Sequence, residues 1–106
     1  MAKYLLQGSY TTEGIKGLLK DGGSKRRAAA KTLIESLGGK IECLYFAFGK
    51  TDVVAIVDLP DSASAAAASL TIGASGGLRG KLTVLLSPEE IDQAAKKSAT
   101  YTPPGR

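Results

Sequence analysis

Apolar positions along this chain recur with two periods, near 2 and near 3.6, and the order of the two is the strongest signal it carries. Tyr4-Leu5-Leu6-Gln7-Gly8-Ser9-Tyr10 reads as a first strand. Thr11 or Thr12 then caps a helix in which Ile15, Leu18 and Leu19 recur at helical spacing. Asp21-Gly22-Gly23 interrupts that helix, because two glycines are costly in a helix interior. Ser24 is placed to cap a second stretch with Ala30, Leu33, Ile34 and Leu37 on one face, which stops at Gly38-Gly39. Lys40 to Phe48 follows as a second strand, with Ile41, Cys43, Tyr45 and Ala47 on one face and Glu42, Leu44, Phe46 and Phe48 on the other. The turn Gly49-Lys50-Thr51-Asp52 leads into a third strand, Val53 to Leu59. Pro60 ends it, and Asp61 or Ser62 caps a slim, alanine-rich helix through Ile72 that closes at Gly76-Gly77. Lys81 to Leu86 is the fourth strand. Ser87-Pro88-Glu89-Glu90 opens a last helix with a serine cap, a proline at its first position and a glutamate three residues on; Ile91, Ala94 and Ala95 are its thin apolar stripe.

The order β-α-β-β-α-β plus one helix predicts an α+β, ferredoxin-like fold: a four-stranded antiparallel sheet, both crossover helices on one face, and an extra C-terminal helix. A single domain over residues 1–98 and an extended tail over 99–106 are expected. Strands two and three carry apolar residues on both faces, whereas a sheet wetted on one side alternates cleanly. The helix-free face is therefore expected to bury itself against a second copy, as a homodimer or higher homo-oligomer.

Composition narrows the chemistry. A net charge of +4, with 14 basic and 10 acidic residues and one cluster at Lys25-Arg26-Arg27, lacks the dense basic stripe of a nucleic-acid binder. No apolar run approaches the ~20 residues that span a bilayer, and no secretory leader is visible, so a cytoplasmic protein is expected. Histidine, tryptophan and asparagine are absent and Cys43 is the one cysteine, which removes a Ser-His-Asp triad and most metal sites; no metal and no cofactor is expected.

Four sets of residues remain as candidates. Asp52 reads either as a general base, if burial raises its pKa, or as a hairpin aspartate bonded to backbone amides; Tyr10 or Tyr45 would be the matching proton donor. Tyr4, Tyr10, Phe46 and Phe48, with Asp52, line a pocket for a small hydrophobic ligand or fill core. Ser24-Lys25-Arg26-Arg27 reads as an anion cradle or as a solvated charged patch. Cys43 has no sequence neighbour that would activate it.

Nearly the whole chain resembles the GYD domain family. The resemblance runs through Tyr4-Leu5-Leu6-Gln7-Gly8-Ser9-Tyr10-Thr11, Glu13-Gly14-Ile15-Lys16, Gly38-Gly39-Lys40, Tyr45-Phe46-Ala47-Phe48-Gly49, Asp52-Val53 and Ser87-Pro88-Glu89-Glu90. At the hairpin signature Thr51 stands where the family expects tyrosine, between Gly49 and Asp52. The resemblance implies the layout of the dimeric α+β barrels, a group that spans cofactor-free monooxygenases, isomerases, haem-dependent enzymes and ligand-sensing domains, so it implies a fold more than a reaction. The expected function is a self-associating module that binds a small hydrophobic or anionic ligand, or assembles, without catalysis. The alternative is a cofactor-independent isomerase or monooxygenase acting on a small hydrophobic substrate in the barrel cavity.

Overall fold

A computed structural model describes all residues, 1–106. The elements are β1 (Ala2–Tyr10), α1 (Thr12–Asp21), α2 (Gly23–Ser36), β2 (Lys40–Phe46), β3 (Val53–Leu59), α3 (Ser62–Ser75), β4 (Leu78–Leu85) and α4 (Pro88–Ala95). The strands form one sheet in the order β2-β3-β1-β4, with every neighbouring pair antiparallel. This is the ferredoxin-like arrangement expected from the element order. The first and second helical stretches pack at the β1–β2 side of the layer, and α3 lies over β4 and β3.

Local signals set most boundaries. The Thr11 hydroxyl accepts from the Gly14 amide at 3.2 Å and starts α1. Asp61 caps α3 by accepting from the Ser64 amide at 2.8 Å. Gly76, at φ 75°, ends that helix in the left-handed region, where an L side chain is strained. Ser87 and Glu90 form a reciprocal capping box around the start of α4. Ser24 does not cap: α2 begins at Gly23, behind an N-cap Gly22 at φ 81°. The two glycines therefore make a sharp corner with no linker, and the serine falls inside the helix rather than before it.

Strand two departs from simple alternation. Ile41 pairs with Val57 and Cys43 with Ile56, so Glu42 is an extra residue, a β-bulge. Past the bulge Leu44 pairs with Ala55 and Phe46 with Val53. Ile41, Leu44 and Phe46 consequently share the helix-covered face, although strict period-2 counting separates Ile41 from the other two. The strand also ends at Phe46 rather than Phe48, although the Ala47 amide still donates to the Asp52 carbonyl at 2.7 Å before the turn at Gly49.

The core sits between sheet and helices, at one end. Tyr4, Leu6, Ala55, Val57 and Leu59 from the sheet meet Ile34 of α2 and Ala65 and Ala68 of α3. The small alanines let α3 lie close to the strands. Register places Leu5, Val54, Ile56, Cys43 and Tyr45 on the opposite face, mixed with Lys3, Gln7, Asp58, Lys81 and Thr83. The middle of that face is apolar and its margins are polar.

Beyond β4 the chain leaves the body. Every residue from 88 to 106 is exposed, including Ile91 and Tyr101. The molecule measures 56 × 33 × 22 Å, with a radius of gyration of 16.9 Å. A compact chain of this length would have about 13 Å. No helix is long and apolar enough to cross a membrane.

Candidate functional site

Beside the core, toward the Tyr10 and Val53 end of the sheet, the helical layer parts. A hollow of about 450 Å³ opens there between α2 and α3. Buried Leu6 and Val53 are its base, with half-buried Leu44 and Leu78 beside them. Ala30 and Leu33 of α2 face Ile72 of α3 across it. Gly14 and Gly17 of α1, with Tyr10 at the end of β1, close one side. The exposed members of the lining are Arg26, Ala29, Phe46, Thr71 and Ser75, which therefore make the rim.

Backbone contacts hold this end together. The Thr11 amide donates to the Gly77 carbonyl at 3.0 Å, and the Thr11 hydroxyl donates to the Gly76 carbonyl at 2.8 Å. These bonds tie the β1–α1 junction to the α3–β4 turn. Gly14 is required for that closeness, because a Cβ there would collide with the Gly77 carbonyl oxygen. The β2–β3 turn is tied to β1 as well. The Tyr10 amide donates to Asp52 Oδ2 at 2.8 Å, the Asp52 amide donates to the Gly8 carbonyl at 2.8 Å, and the Ser9 hydroxyl donates to the Lys50 carbonyl at 2.8 Å.

The electrostatics at the rim favour an anion. Asp21 lies 3.7 Å from Arg26 Nη1 and 3.8 Å from Lys25 Nζ. Both distances exceed hydrogen-bond length, and one carboxylate is shared by two cations. On the opposite face of the sheet, Lys3 donates to Glu42 Oε1 at 2.8 Å and to Asp58 Oδ1 at 3.0 Å. Those bonds, the one to Glu42 first, hold the Lys3 ammonium above its usual 10.5.

The structure sorts the candidate residues by place. Tyr10 and Phe46 line the hollow, and so does Arg26 from the basic cluster. Tyr4 is buried in the core at the other end of the sheet. Phe48 is 99% exposed in the β2–β3 turn. Asp52 Oδ2 accepts from the Tyr10 amide on β1, 42 residues away in the chain, and not from an amide of its own turn. Tyr45 is 69% exposed and, by register with Val54, lies on the face away from the hollow. Tyr10 and Tyr45 are thus on opposite sides of the sheet. Ser24 and Arg27 border a separate shallow, polar depression along β2, with Cys43 and Tyr45. No three acidic or thiol side chains cluster as a metal site would require.

Sequence reading missed Gly14 and Gly17 as cavity residues, along with Leu33, Leu44, Ile72 and Leu78. A signal for the glycines was present, since two of them three apart inside a helix carry a propensity cost that close packing or an opening would explain.

The GYD domain model matches residues 4–95, most of the chain and every element described above. The chain belongs to the GYD domain family. No curated protein and no solved structure matches it. The matched span takes in the whole of the hollow and the β2–β3 turn, so the GYD assignment holds with Thr51 at the signature turn. Thr51 is half-buried there and does not border the hollow.

Proposed function

We propose that this GYD protein is a self-associating, non-catalytic module that binds a small molecule. The observation that supports this reading is the unlike character of the two sheet faces. One face, under the helices, keeps a hollow at its open end, within the ~300–1,000 Å³ common for ligand sites. The other face carries Leu5, Val54 and Ile56 with no element of the chain over them, which suits burial against a second copy. A catalytic reading finds less support. It pairs Asp52 with Tyr10 or Tyr45, yet Asp52 already accepts the Tyr10 amide and Tyr45 is across the sheet.

Native mass spectrometry of freshly purified protein tests both halves together. The expected result is a mass of two chains, with a small molecule retained on each. A single chain at micromolar concentration would refute the association. Ile56→Lys, on the uncovered face, is expected to shift the protein to monomer and leave its circular dichroism unchanged.

A further inference from the structure

Two groups of residues that look unrelated along the chain, the aromatic set and the basic cluster, meet at one opening. Tyr10 and Phe46 border the same hollow as Arg26. The base and facing walls are hydrocarbon, at Leu6, Val53, Leu33 and Ile72, and the neutral polar side chains of the lining are the hydroxyls of Tyr10, Thr71 and Ser75. The one ionic side chain of the lining is at the exposed rim. The Arg26 guanidinium makes no hydrogen bond within the chain; it is ion-paired with Asp21 at 3.7 Å, a carboxylate it shares with Lys25. A guanidinium in that state keeps its planar fork of donors free for a carboxylate from outside.

We infer that the hollow binds an amphipathic monocarboxylate, with its hydrocarbon body against the sheet and its carboxylate on Arg26. The inference deepens the ligand-binding reading proposed above and rests on it. Charge complementarity selects the occupant. An apolar cavity with one cation at its mouth, ion-paired to a shared carboxylate but not hydrogen-bonded, fits one anionic end on an apolar chain or ring. A neutral hydrocarbon would leave Arg26 unused, and a polyanion would meet the apolar base. Burial of the body supplies the affinity, and the ion pair supplies the selectivity.

Decanoate and decanol are matched probes, differing mainly in charge. Binding is measured by calorimetry and by ligand-dependent thermal stabilisation. The parent protein is expected to bind decanoate about tenfold more tightly than decanol. Arg26→Gln is expected to abolish that preference while decanol binding stays as it was. Gly17→Leu is expected to abolish binding of both. Gly17 borders the hollow, and a Cβ there meets nothing within 4 Å, so the larger side chain has room to enter the space. Replacing a helix-interior glycine also favours α1, so this variant is expected to melt no lower than its parent.

Equal affinity for the two probes, or a decanoate preference that survives Arg26→Gln, would overturn the anionic assignment and leave the apolar binding site standing. Undiminished binding by Gly17→Leu would overturn the placement in this hollow. No binding of either probe by the parent protein would overturn the ligand-binding reading and this inference together.

Discussion

Asp61 and Lys3 are single residues whose charge the fold uses in opposite directions. The Asp61 carboxylate accepts from the Ser64 backbone amide and is held below its ordinary 3.8 by that bond first. A lowered acid contributes stability above its unfolded value, and loses it as pH falls through the folded value. Lys3 is held above 10.5 by Glu42 and then Asp58. A raised base contributes fully below its unfolded value, and loses that contribution as pH climbs through the folded one. Melting curves across pH are therefore expected to fall off at both extremes. Asp61→Asn, which keeps a capping oxygen, should soften the slope below 3.8, and Lys3→Met should soften the slope above 10.5. If neither substitution changes its own arm of the profile, these bonds do not carry the pH dependence. Packing is equally local at Gly14. Gly14→Ala would drive a methyl into the Gly77 carbonyl, and an overpacked site of this kind costs about 3 kcal/mol. Chemical denaturation should register that loss directly.

Among the elements, β2 carries the decisive irregularity. Its sequence Ile41-Glu42-Cys43-Leu44-Tyr45-Phe46 cannot place all three large apolar partners of the helices on one face by alternation alone. The bulge at Glu42 resolves the conflict: Ile41 stays with Val57, and Leu44 and Phe46 follow Ala55 and Val53. It also leaves the Glu42 carboxylate where it reaches Lys3 two strands away. Deleting Glu42 would restore even pairing with Ile41, Leu44 and Phe46 all still on the helix face, because Ile41 opposite Val57 would be followed directly by Cys43 opposite Ile56. The deletion is thus expected to keep the core facing intact and to cost only the exposed ion pair to Lys3, under about 1 kcal/mol. Glu42→Ala keeps the bulge, removes the same exposed ion pair and should cost a similar amount. A deletion that costs several kcal/mol more than the alanine change in urea unfolding would overturn this register for the strand.

As a whole molecule, the protein is a compact βαββαβ body with an arm. The capping box makes α4 a well-formed helix, yet its apolar residue Ile91 is 51% exposed and nothing in the body receives it. Ending the chain at Leu86 should therefore leave body stability unchanged at concentrations where the protein is monomeric, as read by thermal melting. A large fall would show that the arm packs on its own body. The uncovered sheet face and the arm are both surfaces that a single copy leaves without a covering element, and the association proposed above would cover them.

Much of this architecture was legible along the chain. The order of periods specified four strands and their ferredoxin-like connection, because neighbouring elements can join in few ways without crossing. Thr11, Asp61 and the Ser87–Glu90 box marked helix starts, because capping chemistry is local to four residues. Tyr10, Phe46 and Arg26 were singled out by residue type. Their convergence could not be read, since positions 10, 26 and 46 belong to three elements whose spacing depends on how α2 and α3 diverge over the sheet. The hollow itself is likewise a product of packing: it exists where helices fail to fill space, and no single residue encodes that absence. The bulge at Glu42 was equally hidden, because its cause is the demand of the core on the strand as a whole. Local chemistry thus decided where each element begins, and only the packed sheet decided which side chains share a face.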